Sequence, residues 1–256
     1  MSDRTETYGV DSDVSVVINI HRGDVRFKKG EPGRVVLRLS GSPEALSAVE
    51  VDASADTVSV HSTTKKRRWL GASVDTTVIL PTGSNVAVRS GAGDVVVGLD
   101  VKELEVHTGS GDVRADVVSG VCDIKIGSGD VRLRRLEGTS RISSGAGDVR
   151  VDWTSEMTIN TAAGDIHLGE VTESARIKSA TGDVRVRKFA GSDLEIKTMS
   201  GDVIVGLVSG MVVNAAIKTL SGDLRNRIKS SAGEKIGRMN LTITSLAGDV
   251  ILKSAK

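Results

Sequence analysis

The stretch that decides the fold is Gly109-Ser110-Gly111-Asp112-Val113-Arg114, because near-copies of it recur along the chain. Its Gly-Asp pair occurs nine times in the region from residue 93 onward, as Gly93 and Asp94, Gly111 and Asp112, Gly129 and Asp130, Gly147 and Asp148, Gly164 and Asp165, Gly182 and Asp183, Gly201 and Asp202, Gly222 and Asp223, and Gly248 and Asp249. Successive pairs are 18, 18, 18, 17, 18, 19, 21 and 26 residues apart. A nearly fixed period of this length is typical of repeat architectures.

Each copy alternates apolar and polar residues on both sides of the Gly-Asp pair. The fifth residue before the glycine is β-branched and apolar in every copy: Val88, Val106, Ile124, Ile142, Ile159, Ile177, Ile196, Ile217 and Ile243. The residue after the aspartate is always valine, isoleucine or leucine. A period of two in such residues predicts a strand on each side of a turn. In that turn, we expect the glycine to adopt a positive φ and the aspartate to accept backbone N–H groups.

This pattern predicts an all-β fold, a single-stranded β-solenoid (β-helix) of about nine 18-residue coils with an irregular β-rich N-terminal cap. Stacked coils explain why equivalent positions carry nearly identical residues. A β-meander is disfavoured because Asn-Gly and Gly-Gly hairpin turns do not separate the units. One more apolar residue per linker predicts a short third side, so the coil is three-sided or flattened, and we favour a right-handed coil. These residues are Leu99, Val117, Leu136, Trp153, Val171, Phe189 and Leu207.

We divide the chain into a loose N-terminus (residues 1–12), a β-rich cap region (13–81) and solenoid repeats (82–256). Within the cap we expect strands at residues 14–20, 34–39, 49–53, 57–61 and 73–80, and a short helix at 43–48 that begins after Ser42. Gly23 and Asp24 repeat the turn motif upstream and predict a degenerate first coil. The charged C-terminal residues Lys253 and Lys256 are expected to protect the last strand edge.

Composition narrows the classes of function. The 256 residues include 34 basic and 33 acidic side chains, so no overall charge attracts nucleic acid or anionic membranes. The single cysteine, Cys122, excludes an internal disulfide and is expected to be a small core residue. The sequence shows neither a signal-peptide pattern nor an apolar run of about 20 residues. We therefore expect a cytoplasmic protein, with association with the cell envelope as the alternative.

A column of basic residues is the first candidate binding site. Two positions after the aspartates stand Arg114, Arg132, Arg150, His167, Arg185 and Arg225. Stacked coils would align them into a stripe that could bind an anionic polymer. The favoured alternative is that they keep the strand face soluble and pair with the neighbouring aspartates. The possible partners are therefore an unknown protein, an anionic polymer or, through the coil ends, a second copy of the chain.

The aspartate column is the second candidate. Calcium could neutralise stacked carboxylates, but a period of 18 without doubled glycines differs from known calcium-binding repeats. Backbone N–H groups and neighbouring arginines could do the same, so we expect neither metal nor cofactor. The four histidines are far apart, and we expect no enzymatic activity; a polysaccharide-processing enzyme is the less favoured interpretation. The basic run from Lys65 to Trp69 is expected to be a solvated loop.

These motifs together resemble a bacterial family of β-strand-repeat proteins labelled "putative adhesin", a domain of unknown function. The resemblance rests on Gly23-Asp24-Val25, on residues 78–84 (Val-Ile-Leu-Pro-Thr-Gly-Ser) and on the tandem Gly-Asp copies, and it covers about residues 12–252. It implies a β-solenoid without known catalytic activity, sometimes linked to cell-envelope stress. The function expected is a non-enzymatic scaffold or interaction module, with a polyanion-binding module as the alternative.

Overall fold

A computed structural model of the chain describes residues 2–11, 13–63, 73–228 and 237–255. The basic run from Lys65 to Trp69 lies outside these residues. The chain divides into two compact units, residues 1–129 and 130–256, which are described separately.

The strands of the first unit are β1 (Ser2–Gly9), β2 (Ser15–Arg22), β3 (Val25–Lys29), β4 (Arg34–Gly41), β5 (Val49–Ala53), β6 (Thr57–Ser62), β7 (Val74–Leu80), β8 (Asn85–Ala92), β9 (Val95–Val101), β10 (Glu103–Ser110), β11 (Val113–Val118) and β12 (Cys122–Ser128), with one helical turn, α1 (Pro43–Leu46). Those of the second unit are β13 (Val131–Ala146), β14 (Val149–Ala163), β15 (Ile166–Thr181), β16 (Val184–Phe189), β17 (Asp193–Ser200), β18 (Val203–Leu207), β19 (Met211–Ser221), β20 (Leu224–Arg227), β21 (Gly237–Ala247) and β22 (Val250–Ser254).

The first unit is built on two parallel ladders of strands that meet at the Gly-Asp turns. One ladder runs β6–β2–β8–β10–β12, and the other runs β7–β3–β9–β11. In the first ladder one interior column consists of Val60, Ile18, Val88, Val106 and Ile124, all fully buried. The predicted stacking of like on like is therefore confirmed in this unit.

The second unit repeats the arrangement with longer strands. β13, β14 and β15 each run through both ladders, and β16 to β22 contribute one segment each. The interior column here consists of Ile142, Ile159, Ile177, Ile196, Ile243 and Ile217. Parallel neighbours with matching side chains exclude the meander, and the chain is an all-β repeat with solenoid-like coils.

The order of coils in space differs from the order in sequence. β21 lies between β17 and β19, and β22 lies between β18 and β20. The C-terminal coil is thus inserted between two earlier ones, and Lys253 does not protect a terminal edge as predicted. β19 and β20 form the end of the described ladders in the second unit.

The N-terminal region is more regular than expected. The prediction of a loose N-terminus is wrong for residues 2–9, because β1 pairs antiparallel with β4 along its whole length. The coil around Gly23 is confirmed, and its strands β2 and β3 lie inside the two parallel ladders. The predicted strands of the cap and α1 are present, and the Ser42 hydroxyl accepts the amide of Ala45 at 3.1 Å.

The prediction of a separate third side is wrong for the second unit. Leu136, Val171, Phe189 and Leu207 belong to the second ladder, where register shifts before or after them form the other turn of the coil. Between Leu136 and Val171 the interior position is held by the buried Thr154. The neighbouring Trp153 is half-buried and stacks under the guanidinium of Arg135, 4.1 Å from the ring centre. The coil is therefore flattened.

The glycines of the Gly-Asp turns have the expected positive φ, and the structure also shows a close approach of the neighbouring coil. Gly182 has a φ of +119°, and a Cβ atom there would lie 2.2 Å from the carbonyl oxygen of Gly164 in the neighbouring coil. Only a residue without a side chain allows the two backbones to approach so closely. The turn glycines therefore determine how tightly coils stack.

We predict that Gly182→Ala destabilises the protein by about 3 kcal/mol or more, because strain and steric overlap act together. Gly83 is a matched control, since its φ of +82° is also positive but no neighbouring atom lies within 4 Å of the position that a methyl group would take. Gly83→Ala should cost only about 1 kcal/mol of strain. Chemical denaturation measures both variants, and equal losses would show that close approach of the coils contributes nothing.

Candidate functional site

The aspartates of the turns form a continuous hydrogen-bonded ladder within each unit. In the first unit, the amides of Asp24, Asp94 and Asp112 donate to the Oδ1 atoms of Asp75, Asp24 and Asp94 at 2.9–3.0 Å. In the second unit the acceptor carboxylates, in spatial order, belong to Asp130, Asp148, Asp165, Asp183, Asp202 and Asp249, and the last donor amide is that of Asp223. Each of these acceptor carboxylates therefore forms a hydrogen bond with the backbone of the neighbouring coil.

Most arginines of the predicted basic stripe neutralise this ladder. Arg114 binds Asp112 and Arg132 binds Asp130, each at 2.7 Å, and Arg185 binds Asp183 at 3.2 Å. Arg225, at the end of the second unit, contacts the carboxylates of Asp223 and Asp249, both at 3.2 Å. The stripe is therefore largely paired with the aspartates, as the favoured sequence interpretation expected.

Two members of the stripe differ from the rest. Arg150 contacts Asp152 on its own strand at 3.4 Å and not a turn aspartate. His167 stands between Arg150 and Arg185 in the ladder, and its Nε2 atom lies 3.4 Å from the Arg185 guanidinium. These three residues of β14, β15 and β16 therefore lie side by side, and both arginines are paired with an aspartate.

A second outward row, which was not predicted from the sequence, lies two positions further along each strand. In the second unit this row contains Arg134, Asp152, Gly169, Arg187, Gly206, Lys253 and Arg227. The signal was present in the alternation itself, because residues two apart on a strand share a face. The row adds four basic residues against one acidic residue, and no turn carboxylate is adjacent to it in sequence.

The two rows enclose an open groove on the second unit. It is lined by Arg150, Asp152, His167, Arg185, Arg187, Ile204 and Lys253. Gly169 lines the groove and leaves space there, since it carries no side chain. A Cβ atom at Gly169 would lie 2.1 Å from the Asp152 carbonyl oxygen, and one at Gly206 would lie 2.0 Å from that of Arg187. The groove therefore follows from the backbone packing.

The charge of the groove is not balanced. Within the described part of the chain, Arg187 and Lys253 form no ion pair, and both are exposed. Asp152, which contacts Arg150, is the acidic residue among those lining the groove. Two cations therefore remain available to a ligand.

A second depression, in the first unit, has the opposite character. Its lining includes Glu103, Glu105 and Asp123. Glu105 is paired with Arg89 at 3.1 Å, and Asp123 is paired with Lys125 at 3.2 Å. This surface does not suit an anion, which makes the groove of the second unit the better candidate.

Other reactive groups do not form a site in the residues that the structure describes. No group of three or more histidine, cysteine, aspartate or glutamate side chains there is arranged to hold a metal ion. Cys122 is fully buried, and burial raises the pKa of its thiol to about 12. The prediction that Cys122 is a core residue is confirmed.

The fold and the groove define a class of protein, a repeat of parallel β-coils that presents side chains on flat outer faces. The family model "Toastrack DUF4097" matches residues 81–169 and 154–255, which together cover more than half of the chain. The chain belongs to this family. The resemblance inferred from the sequence is thereby confirmed at the level of a bacterial adhesin-like domain of unknown function.

Crystal structures of three proteins, each described as a "putative adhesin", align with nearly the whole chain. The protein from Bacteroides fragilis is 14% identical with a TM-score of 0.49, and 98% of this chain and 97% of that chain are covered. The protein from Parabacteroides distasonis is 9% identical (TM-score 0.46, 98% and 97% covered). The protein from Parabacteroides merdae is 12% identical (TM-score 0.39, 96% and 95% covered). No curated protein matches the chain.

With respect to a membrane, the sequence predicted only that no apolar run is long enough to span one. None of the helices in the described residues has the length and hydropathy needed to cross a bilayer.

We predict that the aspartate ladder depends on the carboxylate oxygen more than on its charge. Asp183→Asn keeps an oxygen that can accept the amide of Asp202, whereas Asp183→Ala removes this exposed hydrogen bond and should cost about 0.5–1.5 kcal/mol. The melting temperature of both variants and of the parent should not change with calcium or a chelator, since arginines and amides occupy the carboxylates. A calcium-dependent increase would contradict this assignment.

We predict that Cys122 is unreactive in the folded protein. At pH 8 a thiol with a pKa of about 12 is almost entirely protonated and is also shielded from solvent. A thiol-specific chromogenic reagent should modify about one cysteine per chain in denaturant and almost none without it. Rapid modification of the folded protein would show that the β12 region opens.

Proposed function

We propose that the chain is a non-enzymatic interaction module and that the groove on its second unit binds anionic groups. Arg187 and Lys253 carry this proposal, because they are exposed, adjacent to the groove and without an ion-pair partner among the described residues. Arg150, His167 and Arg185 line the same groove on three neighbouring coils, with the two arginines paired to aspartates. The strand that contains Gly206 separates Arg187 from Lys253, so the two cations lie about 10 Å apart along the stack, a spacing that a repeating anion can match.

The ligand class that fits best is a flexible polyanion that carries phosphate, sulfate or carboxylate groups. Guanidinium groups bind such oxygens in a forked geometry, while Lys253 adds a point charge. The chain as a whole is almost neutral, so attraction would be local to the groove and would be screened by salt. The groove also lacks exposed aromatic side chains in its lining, which argues against stacking on nucleic acid bases.

The enzymatic alternative has less support. Glycoside hydrolysis normally needs two carboxyl groups that face each other across the sugar. Asp152 is the carboxylate in the lining of the groove, and it forms an ion pair with Arg150 of the same strand. Binding without turnover is therefore the function that this geometry favours.

We predict that the double variant Arg187→Ser and Lys253→Ser weakens binding of a fluorescent heparin oligosaccharide about tenfold, since two exposed charge contacts are lost. The matched control is Arg141→Ser with Lys178→Ser, which removes the same charge from the other face of the second unit. Both are exposed, and neither lines the groove. Fluorescence anisotropy at several salt concentrations measures the affinities.

The proposal is contradicted if the parent protein shows no salt-dependent binding. It is also contradicted if both double variants lose affinity equally, because the attraction would then come from general surface charge. Inorganic polyphosphate in the same titration distinguishes a preference for phosphate from one for sulfate.

A further inference from the structure

The coil formed by β19 and β20 leaves one strand edge of the second unit open. β19 pairs with β21 on one side, and among the described residues no strand lies on its other side. β19 is eleven residues long, so a long row of backbone N–H and C=O groups faces away from the ladder. Such an edge can accept another strand.

The interior of the repeat is also open at this coil. In β21 the interior side chains of Met239, Leu241 and Ile243 are at most 1% exposed. Their register partners in β19, Val213, Ala215 and Ile217, are half-buried or exposed. The core column thus reaches the end of the described ladder without a covering layer.

The edge has few of the features that prevent association. β19 contains one charged residue, Lys218, and no proline. Natural edge strands usually carry several charges, a proline or a bulge that blocks pairing. The sequence Met-Val-Val-Asn-Ala-Ala-Ile-Lys-Thr-Leu-Ser is therefore suited to a partner strand.

We propose that a second copy of this chain covers the edge, through antiparallel pairing of β19 with β19 about a two-fold axis at Ala216. This register places Val212 opposite Leu220 of the second copy on the outer face. Val213 faces Thr219, and Ala215 faces Ile217, on the interior face. Directly opposite residues of an antiparallel pair share a face, so the two cores become continuous.

The sequence of β19 favours a second copy over an unrelated partner. Its two large apolar residues on the outer face, Val212 and Leu220, are 37% and 83% exposed and lie at equal distances from Ala216. Lys218 falls opposite Asn214, so the axis brings no like charges together. A two-fold interface needs this self-complementarity, whereas a different protein would not.

An exposed apolar row leads to the same edge. The residue two before the turn glycine is Met199, Leu246 and Leu220 in three neighbouring coils, with exposures of 59%, 46% and 83%. Contiguous apolar surface of this kind marks interaction sites. Pairing at β19 continues the row with Val212 of the second copy.

The test compares two double variants by light scattering after size exclusion. Val212→Lys with Leu220→Lys puts two lysines opposite each other at both ends of the strand pair, whereas Val212→Lys with Leu220→Glu puts a lysine opposite a glutamate. We expect the parent to show twice the 26.8 kDa mass of the chain, the Lys/Lys variant to be monomeric and the Lys/Glu variant to remain dimeric at low salt. Circular dichroism checks that both variants fold.

Several results would overturn the proposal. A monomeric parent at 100-fold different concentrations would exclude self-association. A dimer that resists the Lys/Lys variant would place the interface elsewhere, and loss of the dimer in both variants would exclude the register centred on Ala216. Open-ended filaments would indicate head-to-tail stacking and not a two-fold axis. Groove variants should leave the mass unchanged, so the anion proposal is tested separately.

Discussion

Each Gly-Asp turn joins two coils through a hydrogen bond from the aspartate amide to the carboxylate of its neighbour, and the turn glycine makes this contact possible. A side chain at Gly182 would overlap the carbonyl of Gly164, so the short spacing between coils requires glycine. At that spacing like charges would repel, but the acceptor carboxylates each bind an amide of the neighbouring coil, and several of them, such as Asp183, are also bound by an arginine. The same residue pair thereby determines both the spacing and the charge balance of the stack.

A turn that is identical in every coil makes neighbours interchangeable. The amide of Asp249 donates to the carboxylate of Asp202, and the carboxylate of Asp249 accepts the amide of Asp223. This order holds although Asp223 precedes Asp249 in the sequence. In the first unit the coil of Asp24 likewise lies between Asp75 and Asp94. Since the turn does not distinguish one neighbour from another, the lengths of the linkers decide which coils meet. The irregular spacings of 21 and 26 residues accompany the one change of order in the second unit.

The sequence was sufficient to predict what is decided within one repeat. Alternation predicted the strands and the interior column that contains Ile142. The glycine of each Gly-Asp pair predicted the positive φ of the turn. The sequence was insufficient where the outcome depends on distant segments. The order of the last two coils, the pairing of the polar strand β1 with β4 and the burial of Thr154 instead of Trp153 all depend on competing tertiary contacts. The groove was partly visible, but Arg187 and Lys253 do not follow a repeated residue type.

The outer faces are free to vary because neither the turn nor the interior depends on them. Most arginines two positions after the aspartates bind the ladder, and replacing one of them would disturb its charge balance. Two positions further on, no carboxylate of the turn competes for the side chain, and Arg187 and Lys253 there form no ion pair within the described residues. Gly169, which lines the groove in the coil next to Arg187, leaves space for a ligand beside that side chain. Binding specificity in this architecture can therefore change by substitution on the outer rows without cost to the stacking that holds the coils together.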